Sequence, residues 1–143
     1  ILEIGTGYYG ILPIYLKKKF DINIDATDLD PKAIDSTKLN LKLNMIDIKV
    51  FESDLFQNIK FKEYDLIFWN LPYYRKTEDY MTVLIDQSDK YLKKNGKLIL
   101  GYNSTPLDPK EVSNIVKKNQ NLIYEKSIRY SWNKHIISVI LKK

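Results

Sequence analysis

Three glycines near the start of the chain have the spacing of a nucleotide-binding turn. Gly5, Gly7 and Gly10 lie in the segment EIGTGYYG, after a short apolar run and before a helical pattern. Glycine permits a tight turn and a close approach of ligand to backbone, and amides at the start of a helix attract anionic groups. Such glycines also occur in ordinary strand-to-helix turns. With a strand before it and a helix after it, however, the segment predicts a nucleotide-type ligand.

Two acidic residues follow the next two apolar runs. Asp28 lies about 20 residues beyond the turn, where a carboxylate can accept hydrogen bonds from both ribose hydroxyls. Its simpler role, capping the next helix, is better filled by Asp30. Asp54, in the segment ESDLF, can accept a hydrogen bond from an adenine amine, although an ordinary loop aspartate explains it equally well. Together these residues predict ligand contacts at three successive strand ends, and a dinucleotide cofactor is compatible with the first two.

The fourth apolar run carries a different chemistry. The segment DLIFWNLPYY, residues 65–74, ends in Asn70, Leu71, Pro72 and Tyr73. An amino nitrogen attached to a π system is a poor nucleophile because its lone pair is delocalised, and it carries two N–H groups. If the Asn70 side-chain oxygen and the Leu71 carbonyl accept the two N–H groups, preorganised dipoles stabilise the charge that develops on nitrogen. Tyr73 can stack on an exposed base. Alternatively, the segment is a plain turn, since Asn and Pro favour turns.

The elements that must position these residues alternate along the chain, which predicts a parallel sheet with crossover helices. Strands are predicted at 1–4, 22–27, 48–51, 65–69 and 97–102, with a final antiparallel pair at 122–130 and 136–141. Helices are predicted at 11–20, 31–43, 80–92 and 109–118. Asp30 and Asp108 are predicted N-caps, and Asn95-Gly96 is a predicted stop for the third helix. We expect one α/β domain over residues 1–143.

The composition excludes several classes of protein. The 143 residues include 23 Lys and Arg, 18 Asp and Glu, one His and no Cys, for a net charge of +5. The lack of cysteine excludes a disulfide framework and thiolate metal sites, and it fits a reducing cytoplasm. No apolar run approaches the ~20 residues that span a bilayer, and no His, Asp or Glu spacing predicts a metal site. The positive charge is compatible with nucleic-acid binding without arguing for it alone.

With these motifs together, the sequence resembles the class I S-adenosylmethionine-dependent methyltransferases that methylate a planar amino nitrogen. Their motif is Asn/Asp-Pro-Pro-Tyr/Phe. The ATD strand end at 26–28 and the ESDLF segment look like the HemK-type glutamine methyltransferases and their RNA-adenine-modifying relatives. Leu71 departs from the motif at the first proline, and NLPY is the form seen in ribosomal-RNA adenine dimethyltransferases. The resemblance implies a Rossmann-like, mostly parallel seven-stranded sheet with a C-terminal antiparallel strand pair and helices on both faces.

The resemblance also implies S-adenosylmethionine as cofactor and assigns roles to individual residues. The expected cofactor contacts are Glu3, Gly5, Thr6, Gly7, Asp28, Leu29, Asp54, Leu55 and Asn70. The expected catalytic residues are Asn70, Leu71, Pro72 and Tyr73. The preferred substrate is adenine in RNA, with glutamine in a protein as the enzymatic alternative. A non-catalytic cofactor- or RNA-binding subunit and a dehydrogenase are the remaining alternatives.

Other residues give weaker signals. Arg75 and Lys76 could contact phosphates, whereas most other lysines read as solvated helix ends. Arg129, Trp132 and His135 cluster at the last predicted turn, where packing is favoured over a substrate contact. The proposed chemistry does not need His135 as a base, because the proton can leave after transfer. The chain opens without Met in a predicted core strand, so we expect a missing N-terminal segment that contributes to substrate choice.

Overall fold

The computed structural model describes residues 1–60, 62–71, 78–105, 107–129 and 134–143. Within these ranges the apolar runs and helical patterns form seven strands and four helices. The strands are β1 (Leu2–Ile4), β2 (Asp25–Asp28), β3 (Lys49–Glu52), β4 (Tyr64–Asn70), β5 (Leu92–Asn103), β6 (Leu122–Arg129) and β7 (His135–Lys142). The helices are α1 (Ile11–Phe20), α2 (Pro31–Leu43), α3 (Glu78–Tyr91) and α4 (Pro109–Lys117). The chain divides into two compact units, residues 1–60 and 61–143.

The first unit contains three parallel strands and two helices. β1 pairs with β2, and β2 pairs with β3, so that Glu3 lies opposite Ala26 and Asp28 opposite Glu52. Ala26 and Thr27 are both fully buried. Because successive side chains of a strand point to opposite faces, both faces of β2 are covered, as parallel sheets require. α2 packs on β2 and β3.

The second unit contains parallel and antiparallel strands. β4 is parallel to β5 with Asn70 opposite Gly101, and β7 is antiparallel to both β5 and β6. α3 packs on β5, and α4 packs on β6 and β7. The successive residues Ser138, Val139 and Ile140 are all buried, so both faces of β7 are covered.

The strand order is β3-β2-β1-β4-β5-β7-β6. This mostly parallel, seven-stranded sheet with a C-terminal antiparallel pair confirms the predicted α/β fold class. The predicted helix bounds of α1 and α2 are reproduced. Both predicted caps are also present: Asp30 accepts a hydrogen bond from Lys32 N at 2.9 Å, and Asp108 accepts one from Lys110 N at 2.7 Å. Within the described ranges, no helix is long and apolar enough to cross a membrane.

The prediction that Asn95-Gly96 ends the third helix is wrong. α3 ends at Tyr91, and β5 begins at the next residue because the fully buried Leu92 pairs with Tyr64. The register then shifts, so that Lys97 pairs with Leu66. Residues 93–96 therefore form an irregularity at the start of β5, and Asn95 takes a positive φ of 63° within it. The Asn-Gly pair supplies a local turn there. The same two residues are common where a helix ends, so the sequence does not distinguish the two uses.

Candidate active site

The glycine loop, residues 5–10, has the backbone shape that its sequence predicts. Gly5, Gly7 and Gly10 have φ values of 70°, 69° and 58°. This left-handed region costs other residues about 1–2 kcal/mol each. A Cβ atom at Gly7 would meet no atom within 4 Å, so open space lies beside the backbone there. The loop therefore combines a conformation that favours glycine with room for a ligand.

Asp28 ties the glycine loop to the end of β2. Its Oδ2 accepts a hydrogen bond from Gly7 N at 2.8 Å, and its Oδ1 accepts one from Asp30 N at 3.0 Å. The main chain adds a bond from Thr6 N to Thr27 O at 2.9 Å. Asp30 caps α2, so Asp28 does not serve as the cap. Each carboxylate oxygen can accept more than one hydrogen bond, so Asp28 retains capacity for ribose hydroxyls.

Glu3 is an acidic side chain buried in β1 directly before the loop. It is 5% exposed, and its Oε2 makes no hydrogen bond among the described residues, nor does the buried Oγ1 of Thr6. Burial raises the pKa of Glu3 to about 7; the nearby Thr6 hydroxyl offsets part of this rise, and the charge of Asp28 adds to it.

The Glu3 and Thr6 oxygens that lack partners among the described residues show what kind of ligand group would suit this site. A buried polar atom without a partner is costly, and a donor on a ligand removes that cost. S-adenosylmethionine carries an ammonium group and a positive sulfur, whose charges complement the carboxylates of Glu3 and Asp28. Together with the open space at Gly7, this donor requirement fits the predicted cofactor.

Hydrogen bonds join the residues that follow β3 to the end of β2. Ser53 N donates to Asp28 O at 2.9 Å, and the Ser53 hydroxyl donates to Leu55 O at 2.9 Å. Leu55 is 8% exposed with a φ of 47°. Asp54 is partly buried, and Leu29 is 48% exposed. The structure thus brings the predicted contacts of the first unit to one edge of its strands: Glu3, Gly5, Thr6, Gly7, Asp28, Leu29, Asp54 and Leu55.

In the second unit, β4 delivers Asn70 and Leu71 to its carboxyl end. Leu71 N donates to Gly101 O at 2.8 Å, and the Leu71 side chain is 2% exposed. A proline at this position has no N–H and could not make that bond. The departure from the Pro-Pro motif therefore gives the strand end a main-chain tie to β5. Pro72, Tyr73, Arg75 and Lys76 lie outside the described residues, as does Trp132.

His135 lies beside Asn70, which the sequence did not predict. A Cβ atom at Gly101 would be 2.8 Å from Asn70 Oδ1 and 3.0 Å from His135 Nε2. The β5–β7 register explains this arrangement, because His135 pairs with Asn103, two residues beyond Gly101 on the same strand face. Only a pairing register could have revealed the neighbourhood, since the chain separates these residues widely. No group of three potential metal ligands occurs within the described part of the chain.

Comparison with known proteins identifies the family. The model of the family named methyltransferase small domain matches residues 1–128, and the chain belongs to this family. A Methanocaldococcus jannaschii protein, provisionally named a protein N5-glutamine methyltransferase, is 39% identical over 106 residues, which cover 70% of this chain and 50% of that protein. The ribosomal RNA small subunit methyltransferase C of Psychromonas ingrahamii is 36% identical over 107 residues, covering 72% and 30%. The chain thus spans half or less of the length of these relatives.

Solved structures agree on the fold. A methyltransferase from Pyrococcus furiosus has a TM-score of 0.86 at 22% identity, covering 99% of this chain and 73% of that one. A ribosomal protein L11 methylase from Lactobacillus delbrueckii has a TM-score of 0.82 at 24% identity, covering 99% and 69%. These likenesses support the Rossmann-like methyltransferase fold.

Proposed function

We propose that the chain is the catalytic core of an S-adenosylmethionine-dependent methyltransferase that acts on a planar amino nitrogen. The observation that carries the proposal is the strand end at Asn70 and Leu71, fixed to β5 by the Leu71–Gly101 hydrogen bond. Two oxygen acceptors in succession, an amide side chain and a main-chain carbonyl, match the two N–H groups of such a nitrogen. Membership of the methyltransferase small domain family supports the reaction type.

Cofactor binding falls to the first unit. Gly5, Gly7 and Asp28 hold the methionine and ribose parts, and Asp54 with Leu55 contacts the adenine. The unsatisfied oxygens of Glu3 and Thr6 accept hydrogen bonds from the methionine part. The half-exposed Leu29 offers an apolar surface beside the adenine. When bound, S-adenosylmethionine supplies an electrophilic methyl group on a positively charged sulfur.

Asn70 and Leu71 orient the substrate nitrogen. With both N–H groups accepted, the plane of the amino group is fixed and its lone pair, perpendicular to that plane, would face the methyl group. Charge developing on nitrogen is stabilised by dipoles already in position. Holding the nitrogen in line with the methyl carbon and the sulfur that leaves it would supply the positioning part of the rate enhancement. The proton need not leave in the same step as methyl transfer, because the methylated nitrogen is positively charged and acidic enough to release its proton to water afterwards. No residue with a special pKa is needed at the strand end.

Adenine in RNA is the first substrate candidate. Leu71 at the first proline position supports adenine as the base. The net charge of +5 and the similarity to a ribosomal RNA methyltransferase support RNA as the carrier. In the sequence Tyr73 comes two residues after Leu71, and an aromatic ring of this kind could stack on a base removed from its neighbours.

Glutamine in a protein is the second candidate. It is supported by the Glu52–Phe56 stretch and by 39% identity to the Methanocaldococcus jannaschii protein. Its amide nitrogen presents the same two N–H groups, so the strand end serves either substrate.

Methyl-label transfer distinguishes the candidates. The purified chain is incubated with methyl-labelled S-adenosylmethionine and either total RNA or total protein, with an Asn70→Ala variant as the matched control. We expect label in RNA with the unchanged chain and a large loss with the variant. Label in protein alone would overturn the RNA preference. Label in neither, with cofactor binding intact, would favour a non-catalytic subunit.

A further inference from the structure

Helix α2 holds the glycine loop by side-chain hydrogen bonds to three successive carbonyls. Thr37 Oγ1 donates to Gly7 O at 2.8 Å. Asn40 Nδ2, almost one helical turn later, donates to Tyr8 O and Tyr9 O at 3.3 Å each. The loop carbonyls are therefore fixed by residues about 30 positions away in the chain rather than by the loop itself.

Thr37 also sets the space at the end of the loop. The residue is fully buried. A Cβ atom at Gly10 would lie only 2.7 Å from Thr37 Cγ2 and 3.3 Å from Thr37 Oγ1. The methyl group of Thr37 thus occupies the position that any side chain at residue 10 would need. Its hydroxyl and its methyl group act on two different points of the same loop.

These hydrogen bonds determine where the loop amides point. The carbonyl of one residue and the N–H of the next belong to the same planar trans peptide and point in opposite directions, and the described chain has no cis peptide. Fixing the carbonyls of Gly7, Tyr8 and Tyr9 towards α2 therefore aims the amides of Tyr8, Tyr9 and Gly10 away from α2. Successive amides aimed to one side form a concavity that favours an anionic group.

We propose that Thr37 and Asn40 are positioning residues of the cofactor site, which act by aiming these amides at the carboxylate of the methionine moiety. The identity of that ligand rests on the proposed function. Thr37 and Asn40 need not touch the ligand: they strengthen its binding by ordering the loop before the ligand arrives, which lowers the cost of binding.

Two substitutions at Thr37 separate its hydroxyl from its shape. Thr37→Val keeps the volume and removes the donor, whereas Thr37→Ser keeps the donor and removes the methyl group. We expect Thr37→Val to weaken calorimetric binding of S-adenosylmethionine about fivefold, the loss of one hydrogen bond, and Thr37→Ser to bind within about twofold of the unchanged chain. Equal affinity of all three proteins, or equal weakening by both variants, would overturn the proposal.

A matched pair on α2 tests Asn40. Asn40→Asp replaces the donor that faces two carbonyls with an acceptor. Asn44→Asp makes the same change one turn later, where the Asn44 side chain accepts a hydrogen bond from Lys18 and donates one to Asn40 O instead of to a loop carbonyl. Asn40→Asp is expected to weaken binding at least fivefold and Asn44→Asp less than twofold. Equal effects would contradict the proposal.

Amide order parameters of the ligand-free protein, measured by NMR relaxation, keep this inference separate from the proposed function. Thr37→Val is expected to lower the order parameters of Tyr8, Tyr9 and Gly10, and Thr37→Ser is expected to leave them unchanged. If the unchanged chain does not bind S-adenosylmethionine, the proposed function fails, and the NMR result still decides whether α2 orders the loop. If it binds and the order parameters are the same in all variants, the inference fails alone.

Discussion

The glycine loop and the β4 strand end reach fixed shapes by different means. The loop depends on side chains from distant parts of the chain, namely Asp28, Thr37 and Asn40. The strand end depends on the main-chain bond between Leu71 and Gly101 and on strand register. A region held by side chains can be loosened by single substitutions, whereas a region held by register keeps its shape until a strand moves. We therefore expect substitutions that loosen the loop to weaken cofactor binding by degrees. Asn70→Ala is expected to leave the shape of the strand end intact and to lower the rate of methyl transfer sharply.

The largest expected effect is at the strand end. Asn70→Ala removes one of two acceptors for the substrate nitrogen while Leu71 remains tied to Gly101. Removal of one preorganised group of this kind costs about 10²- to 10³-fold in kcat. Kinetics with saturating cofactor provide the measurement. Because Asn70 is also a predicted cofactor contact, calorimetry with S-adenosylmethionine is run beside them, and the loss of kcat should exceed the loss of affinity. The control is Asn103→Ala, an amide at the end of the neighbouring β5; a comparable loss there would contradict the assignment.

The next effect concerns the buried carboxyl of Glu3. Its folded-state pKa of about 7 lies above the ordinary value of 4.5. The folded protein therefore holds this proton more tightly, and the free energy of unfolding falls as pH rises from about 4.5 to 7. Glu3→Gln removes the titrating group. The free energy of unfolding of the variant should therefore exceed that of the unchanged chain by about 3 kcal/mol at pH 8 and by about nothing at pH 4.

Denaturant unfolding at several pH values measures the Glu3 effect. The difference between the two proteins should grow across that window and level off above it. A pH-independent difference would show that Glu3 titrates normally. The gain in stability should be accompanied by weaker cofactor binding, because the carboxylate contributes to the site.

A third prediction sharpens the description of the loop. Gly10→Ala places a methyl group against Thr37 Cγ2 and forces alanine to adopt a φ of 58°. The strained backbone alone costs about 1–2 kcal/mol of unfolding free energy. Thr37→Ser should relieve the steric part of the cost. The double variant should therefore lose less unfolding free energy than the sum of the losses in the two single variants. Strict additivity in a double-mutant cycle would argue against contact at this point.

The smallest expected effect lies beside Asn70. Gly101→Ala brings a methyl group within 3.0 Å of both Asn70 Oδ1 and His135 Nε2, so one of the two side chains must move. We expect about a tenfold loss of kcat, in line with the sensitivity of catalysis to small misplacements. Adding His135→Ala should restore part of the activity by making room. No recovery in the double variant would place the clash on Asn70 alone.

More of the region around the glycine loop than of the strand end could be predicted from the sequence. Apolar spacing predicts the bounds of α1. For α2 the apolar spacing agrees with the cap Asp30 and with Pro31 at the first helical position, and its bounds are also predicted to the residue. The roles of Thr37 and Asn40 could not be predicted, since nothing in a helix sequence marks contacts with a loop about 30 residues away. The position of His135 required the β5–β7 register. Asn95-Gly96 misled because the pair serves helix ends and strand irregularities equally well.

The central claim is that the first unit binds S-adenosylmethionine rather than a dinucleotide. Calorimetric titration of the chain with S-adenosylmethionine and, separately, with NAD tests this directly, with Asp28→Ala as the control. The proposed function predicts saturable binding of S-adenosylmethionine, a marked weakening by Asp28→Ala, and no binding of NAD. Binding of NAD without binding of S-adenosylmethionine would contradict it.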